Sequence, residues 1–225
     1  MIGTPRVHLR RADSTNERAK ALVAAGAPHG TLVTAGEQTA GRGRQGRVWT
    51  APPGSAVLMS LVLRDPGEAL PLAAAMAVAE AAPPAATVKW PNDVLVDGRK
   101  LAGILVEGRP QDGWAVLGIG LNVTTRAEGF PEELRDTATS LAAAGVAATV
   151  ETTLTELLHG LGRWLEQPLP DVLAAWRARD ALLGRPVRWD GGEGIAAGID
   201  EAGSLLVDTG TGRVALRAGE VHLLR

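Results

Sequence analysis

The sequence predicts an α+β protein in which a β-sheet flanked by helices is followed by a small β-barrel. Two observations support this. Through the first 182 residues, apolar runs of strand length are interspersed with alanine- and leucine-rich runs of helical length. From Leu183 the chain instead shows five short strands separated by Asp-Gly, Gly-Gly, Ala-Gly and Thr-Gly turns, a pattern typical of a small barrel. We therefore expect two domains, residues 1–182 and residues 183–225.

The elements of the first domain follow from local patterns. Strands are expected at residues 7–9, 31–35, 55–63, 87–90, 94–96, 101–107 and 114–123, where apolar and β-forming residues run together. Helices are expected from Ser14 to Gly26 and at residues 69–82, 151–166 and 171–180, where Ala, Leu and Trp recur at helical spacing. Ser14 and Glu17 have the spacing of a capping box, and Gly26 is a natural helix stop.

The composition excludes several classes of protein. The 225 residues include no cysteine, which rules out disulfides, a thiolate nucleophile and cysteine-ligated zinc. The 23 basic and 25 acidic residues give a formal charge of −2, which argues against a protein whose main task is to grip nucleic acid. The four histidines show no ligand spacing, so we expect no metal held by protein side chains alone. The amino terminus lacks a signal peptide's apolar core and no apolar run could span a bilayer, which predicts a cytoplasmic protein without a membrane partner.

A glycine-rich basic loop at residues 41–47 is the most informative segment. Its three glycines let the backbone approach a ligand, while Arg42, Arg44 and Arg47 supply forked positive charge suited to phosphate or carboxylate. The loop lacks the Gly-Lys-Ser/Thr ending of a Walker loop and does not open a helix as a dinucleotide fingerprint does. The alternative is a solvated basic turn.

A second candidate site is the segment Lys89-Trp-Pro-Asn-Asp93. Lys89 could meet a phosphate at the end of a strand, and Asn92 and Asp93 could bind Mg²⁺ or take a proton. The alternative is a plain Pro-Asn-Asp turn. An Asp-Gly hairpin turn at residues 97–98 folds Lys100 back towards the same region, which favours the functional interpretation.

Three further features suit a flat polar ligand. Ser14, Thr15 and Asn16 form a helix cap by local pattern, although their hydroxyls and amide could equally serve a polar ring. The segment at residues 118–122, Gly-Ile-Gly-Leu-Asn, ends an apolar strand. Its glycines could leave room for a flat ligand; the alternative is that they only relieve steric crowding where strands cross. Trp49 follows the basic loop closely enough to stack on a purine.

Taken together and in order, these segments resemble the biotin protein ligases over nearly the whole chain. The matching segments are Ser14-Thr-Asn, Gln38, Gly41-Arg-Gly-Arg-Gln-Gly-Arg, Trp49, Lys89-Trp-Pro-Asn-Asp, Lys100-Leu-Ala-Gly-Ile-Leu-Val-Glu107 and Gly118-Ile-Gly-Leu-Asn-Val123. The resemblance implies a mixed sheet of the class II synthetase-like kind followed by a Src-homology-3-like barrel. It also implies two reactions: biotin and ATP form biotinyl-5′-AMP and pyrophosphate, and a lysine of a biotin carboxyl carrier domain of an acetyl-CoA or acyl-CoA carboxylase then takes the biotin.

The resemblance also implies roles for individual residues. Biotin would be bound by Ser14, Thr15, Asn16, Gln38, Gly41, Arg42, Gly43, Arg44, Lys100, Gly103, Leu105 and Gly118. ATP would be bound by Arg47, Trp49, Lys89, Asn92 and Asn122, with Mg²⁺ near Asn92 and Asp93. The catalytic residues would be Arg44, Lys100 and Asp93. Arg44 and Lys100 would hold the biotin carboxylate and the developing phosphorane charge, and Asp93 would receive the proton of the acceptor lysine.

Two other functions are consistent with the same fold. A lipoate-protein ligase shares the carrier chemistry, but its loop motifs do not match the arginine-glycine run. A non-catalytic nucleotide- or RNA-binding module would use the terminal barrel, against which stand a single phenylalanine, no tyrosine and the charge of −2.

Expectations about partners follow from the same features. Some members of the family begin with a helix-turn-helix repressor domain, but here Ser14 lies too near the start for one, so the short form without DNA binding is expected. A glycine-flanked edge strand at residues 114–123 would support at most a weak dimer, so a monomer or weak homodimer is expected.

Overall fold

A seven-stranded sheet forms the first part of the fold, and the computed structural model describes residues 1–67, 69–109 and 112–224. The strands are β1 Arg6–Leu9, β2 Leu32–Ala35, β3 Ala56–Arg64, β4 Thr87–Lys89, β5 Asp93–Val96, β6 Arg99–Arg109 and β7 Trp114–Asn122. Their order across the sheet is β1-β2-β3-β7-β6-β5-β4. β1 and β2 run parallel and the other neighbouring pairs run antiparallel, which confirms the mixed sheet. Because β7 lies between β3 and β6, the expectation that it is an edge strand able to pair with a second copy is wrong.

Helices cover both faces of this sheet. They are α1 Thr15–Ala24, α2 Leu70–Glu80, α3 Val150–Trp164 and α4 Leu169–Arg177. β3 is apolar along nearly its whole length because each face of the strand is covered by helix. Met59 and Leu61 face the main core with α2 and α3, whereas Val62 packs with Ala19 of α1 on the opposite face. Within the described residues no helix is both long and apolar enough to cross a membrane.

The start of α1 differs from the expected capping box. Ser14 is the N-cap residue, but its side chain makes no capping hydrogen bond. Glu17 does not reach back to the N-cap because its carboxylate pairs with Lys20 and Arg42 instead. The capping pair is therefore absent here, and the side chain of Ser14 is left to line the cleft described below.

Five short strands make up the rest of the fold. They are β8 Pro186–Trp189, β9 Gly192–Ile199, β10 Leu205–Thr209, β11 Gly212–Leu216 and β12 His222–Leu223. All neighbours are antiparallel in the order β11-β10-β9-β8-β12, and β11 does not pair with β12. The five predicted strands are thus present in an arrangement consistent with a Src-homology-3-like barrel, although within the described part of the chain the sheet does not close. The indole nitrogen of Trp90 donates to the carbonyl oxygen of Gly203 at 3.1 Å, which ties this sheet to the end of β4.

Candidate active site

Glycines on two adjacent strands form the floor of a cleft on the α1 side of the large sheet. Gly103 of β6 lies opposite Gly120 of β7, and Gly118 lies two residues along on the same face of β7. A Cβ atom on Gly118 would lie 2.2 Å from Oδ1 of Asn16, and one on Gly120 would lie 2.4 Å from Cε2 of Trp49. The two β7 glycines therefore allow Asn16 and the indole to lie directly on the sheet.

Hydrogen bonds order the polar end of the cleft at the start of α1. The carboxamide oxygen of Gln38 accepts from the backbone nitrogen of Thr15 at 2.7 Å and lies 3.0 Å from the Thr15 hydroxyl. The buried hydroxyl of Ser60, on β3, lies 2.8 Å from Oγ1 of Thr15 and 2.5 Å from Oδ1 of Asn16. Neutral donors and acceptors are thus fixed side by side, which suits a polar ring that carries both N–H and C=O groups.

Two lysines and one carboxylate occupy the other end of the cleft. Nζ of Lys100 lies 2.6 Å from Oδ1 of Asp93 and 5.8 Å from the centre of the Trp49 ring. Burial is the main cause that lowers the pKa of Lys89 from its ordinary value of 10.5; nearby Asp93 opposes this shift and nearby Lys100 adds to it. Two cations with one anion leave an excess of positive charge at this end, which suits carboxylate and phosphate groups.

The basic loop extends over the cleft and is held at both ends by carboxylates. Arg42 pairs with Glu17 of α1 and lies 3.5 Å from Glu107 of β6. At the other end, Arg47 forms an ion pair with Glu220, in the segment that joins β11 to β12. Between them Arg44 begins a short 3₁₀ turn, Arg44–Gly46, and donates to the carbonyl oxygen of residue 219 at 3.4 Å.

The structure brings sixteen of the eighteen sequence-predicted residues to this cleft. They are Ser14, Thr15, Asn16, Gln38, Arg42, Gly43, Arg44, Arg47, Trp49, Lys89, Asn92, Asp93, Lys100, Gly103, Leu105 and Gly118. Two do not line it. Gly41 is buried, and its Cβ position would meet the carbonyl oxygen of Trp49 at 2.3 Å. Asn122 lines a neighbouring cavity and is almost fully buried, with its amide donating to the carbonyl oxygen of Thr139 at 3.0 Å.

The neighbouring cavity continues from the basic end of the cleft. It shares Arg47, Trp49, Lys89 and Lys100 with the cleft and extends over apolar residues that include Phe130. A ligand with an anionic centre and a flat extension could therefore occupy both spaces, with the anion beside the lysines.

Sequence reasoning missed three residues that shape the site. Ser60 interrupts an otherwise apolar strand, and that single polar residue was an available signal. Glu107 ends the sixth matching segment, but no local pattern shows that it meets α1 and the basic loop. Glu220 carried no signal, because its contact with Arg47 depends on how the small sheet packs against the loop.

Comparisons with known proteins agree with this geometry. A family model described as the biotin/lipoate A/B protein ligase family matches residues 8–123, and one described as the biotin protein ligase C terminal domain matches residues 182–224. A biotin–[acetyl-CoA-carboxylase] ligase of Mycobacterium tuberculosis is 42% identical over 94% of this chain and 86% of that protein. One of Paracoccus denitrificans is 38% identical over 95% and 98%. A structure described as the biotin protein ligase from Aquifex aeolicus in complex with biotin and ATP superposes with a TM-score of 0.84, at 30% identity, over 99% of both chains.

The sheet, the cleft and the first of these matches define a member of the biotin/lipoate A/B protein ligase family. Within it, the match to the carboxy-terminal domain and the identity to the two ligases place this chain among the biotin protein ligases. It is an ATP-dependent ligase, as the sequence predicted.

Proposed function

We propose that this biotin protein ligase activates biotin with MgATP and transfers it to a lysine of a biotin carboxyl carrier domain of an acyl-CoA carboxylase. In the first step an oxygen of the biotin carboxylate bonds to the α-phosphorus, and the bond to pyrophosphate breaks. In the second step the lysine amine bonds to the acyl carbon, AMP leaves, and the amine loses a proton. The observation that supports this assignment is one cleft with a neutral polar end and a cationic end.

The polar end would hold the ureido ring of biotin. Ser14, Thr15, Asn16 and Gln38 supply hydroxyl and amide groups there, and the glycine floor admits a flat bicyclic ring. The valeryl chain would run over Leu105 towards Lys100, which brings the carboxylate to the cationic end. Gly43 leaves the loop backbone free to lie close to the ligand, and Gly41 contributes by letting the loop pass against Trp49 rather than by touching biotin.

The cationic end would bring two anions together. Lys100 and Arg44 would neutralise the biotin carboxylate and the charge that develops on the α-phosphate. Lys89 and Arg47 would bind the remaining phosphates. The neighbouring cavity would take the nucleoside, with Trp49 against the adenine. Asn122 would then act at the wall of this cavity, with its amide nitrogen fixed by Thr139.

The protein offers few ligands for the Mg²⁺ that accompanies ATP. The amide nitrogen of Asn92 donates to the carbonyl oxygen of Ile104 at 2.9 Å, so its amide oxygen is the atom available to an ion. Asp93 adds carboxylate oxygens beside it. Among residues 1–67, 69–109 and 112–224, no three His, Asp or Glu side chains are grouped to hold a metal. This set fits an ion that is carried mainly by the phosphates and touches one or two protein oxygens.

Asp93 would receive the proton released in the second step. It is ion-paired to Lys100 and largely shielded from solvent, so one side chain would serve both steps: first by holding Lys100, then by accepting a proton. An Asp93→Ala enzyme should therefore transfer biotin slowly from preformed biotinyl-AMP. Normal transfer would show that the proton goes elsewhere.

We also propose that residues 1–182 and 183–225 are separate domains that share the site. The two sheets lie in these two ranges, and Glu220 contributes to the loop from the second one.

Transfer to a carrier domain tests the proposed function. Purified protein, MgATP, labelled biotin and a biotin carboxyl carrier domain should give a labelled carrier, and a carrier with the target lysine replaced by arginine should remain unlabelled. Equal labelling of both carriers would mean that a reactive adenylate had merely leaked into solution. No label on either would contradict the assignment.

A further inference from the structure

Glu107 of β6 has three partners from two separate elements, yet no step above uses it. Its Oε2 accepts from the amide nitrogen of Asn16 at 2.8 Å. Its Oε1 accepts from Nζ of Lys20 at 3.2 Å and lies 3.5 Å from Nη2 of Arg42. The side chain is 20% exposed. One carboxylate therefore joins the start of α1 to the basic loop across the cleft.

The carboxylate determines which way the Asn16 amide points. Because an ionised carboxylate only accepts hydrogen bonds, Asn16 must present its nitrogen to Glu107 and its oxygen to the other side. That oxygen lies 2.5 Å from the hydroxyl of Ser60, which must donate to it. The single hydrogen of Ser60 is then used.

The use of the Ser60 hydrogen also limits what Thr15 can offer. Ser60 has no hydrogen left for its 2.8 Å contact with the Thr15 hydroxyl, so the single Thr15 hydrogen must serve either Ser60 or the carboxamide oxygen of Gln38, which lies 3.0 Å away and can only accept. The Thr15 hydroxyl consequently offers lone pairs, and no hydrogen, to the cleft that it lines. A ligand group that meets this hydroxyl must be a hydrogen-bond donor, such as a ureido N–H.

The second oxygen of Glu107 acts on the basic loop. Arg42 meets Glu107 and also Glu17, while Lys20 pairs with Glu17 at 2.7 Å. Two carboxylates and two cations thus balance one another in a cluster formed by α1, β6 and the loop. The cluster holds the loop against the polar end of the cleft.

We propose that Glu107 is a positioning residue for biotin: one oxygen orients Asn16, and through Ser60 the Thr15 hydroxyl, while the other holds Arg42 and the loop. The inference rests on the proposed function, because it takes the ring at Thr15 to be the ureido ring of biotin. Among the described residues Glu107 contacts neither Lys89 nor Lys100, and the phosphate end of the loop has its own anchor in the Arg47–Glu220 ion pair, so the effect of Glu107 should fall on biotin rather than on ATP.

Glu107→Gln tests this with a change of one atom. A carboxamide keeps only one accepting oxygen. It can accept from Asn16 and then turns its N–H groups towards Lys20 and Arg42, or it can face these two cations and then turns its N–H groups towards Asn16. Glu151→Gln is the matched control, because Glu151 also pairs with an arginine, Arg6, but lies outside the cleft. The dissociation constant for biotin is measured by calorimetry, the KM for ATP by biotin-dependent pyrophosphate exchange, and the melting temperature alongside both.

We expect E107Q to weaken biotin binding about tenfold, which corresponds to about 1.4 kcal/mol. The KM for ATP should stay within about twofold of that of the unaltered enzyme. E151Q should change neither. Biotin binding within twofold of that of the unaltered protein, or biotin and ATP weakened alike, would overturn the proposal.

Ser60→Ala provides an independent test, needed most if E107Q folds poorly. It breaks the chain from Asn16 to Thr15 and leaves every ion pair intact. It should also weaken biotin binding several-fold without changing the KM for ATP, and unchanged binding would overturn the role of this chain. Because calorimetry needs no turnover, an unaltered protein that binds biotin but gives no exchange would refute the proposed reaction alone. One that binds no biotin would refute both.

Discussion

Removal of the Lys100 ammonium is expected to slow adenylate formation strongly while the fold persists. Lys100 is one of the cations that would lie between the biotin carboxylate and the α-phosphate, and its only ion-pair partner among the described residues is Asp93, at 2.6 Å. Lys100→Ala therefore has two effects. It removes a positive charge from the place where two anions meet, and it leaves the Asp93 carboxylate facing them without compensation.

The magnitude follows from the geometry. A unit charge about 4 Å from an anion, at an effective dielectric constant of about 20, contributes about 4 kcal/mol. Lys100 is about one-third exposed, so solvent screening reduces this figure. We expect adenylate formation to slow between about 30-fold and about 300-fold, which equals about 2 to 3.4 kcal/mol.

Single-turnover formation of biotinyl-AMP from labelled ATP measures this step directly. Biotin affinity, measured by calorimetry, provides the control for a misfolded site. Adding Asp93→Asn to Lys100→Ala removes the uncompensated carboxylate. The double variant should form adenylate about fivefold faster than K100A, because the Asp93 carboxylate no longer repels the two substrate anions. A K100A enzyme that keeps more than about a tenth of the rate would refute the role of Lys100. A double variant no faster than K100A would refute the coupling to Asp93.

Three further changes probe other parts of the site and of the fold. Gly120→Ala places a Cβ 2.4 Å from the Trp49 ring, so the ring must move. The KM for ATP should rise about tenfold, and an unchanged KM would mean that the indole does not support the nucleotide. Because burial lowers the pKa of Lys89 below 10.5, its ammonium is lost at a lower pH than that of a free lysine, and the KM for ATP should rise as pH passes upwards through that lowered pKa. Lys89→Arg keeps its charge and should abolish this alkaline rise, which a pH series of KM values checks. Burial raises the pKa of Asp180 above 3.8. The charged carboxylate therefore destabilises the folded protein at a pH above the raised pKa, and this cost disappears below pH 3.8, where Asp180 is protonated in both the folded and the unfolded state. Asp180→Asn should raise the melting temperature by about 2 °C at pH 7 and not at pH 3, and no rise at pH 7 would contradict this prediction.

Sequence alone predicted the elements of the large sheet because their signals are local. The apolar run of β3 and the hairpin turn before Lys100 predicted a buried strand and a returning lysine, and both are present. The prediction of a capping box at Ser14 is wrong because the conformation of Glu17 depends on a residue that is distant in the sequence. The Glu17 carboxylate forms ion pairs with Lys20 and Arg42. Arg42 lies 25 residues further along the chain, so no local pattern predicts this contact.

The residues of the short motifs meet in one cleft, as their order along the chain predicted, whereas contacts between distant elements were not predicted. Asn122 was expected beside the ligands, but its position at the end of β7 buries its amide against the segment at Thr139. Glu220 closes the site from the segment that joins β11 to β12, and its pairing with Arg47 depends on the packing of the small sheet against the loop. The five short strands and their turns predicted the small carboxy-terminal sheet, whereas pairing between β11 and β12 depends on contact between the first and last strands of the sheet order, which turn residues do not determine.

Pyrophosphate exchange into ATP, with the purified protein and biotin, lipoate or no acid, shows directly whether this cleft joins biotin to AMP. Two anions can be joined in this cleft only if the acid's ring fits the polar end and its carboxylate reaches Lys100. We expect exchange that requires biotin and is absent with lipoate or without an acid. Exchange with lipoate alone, or none with either acid, would contradict the activation of biotin by this protein.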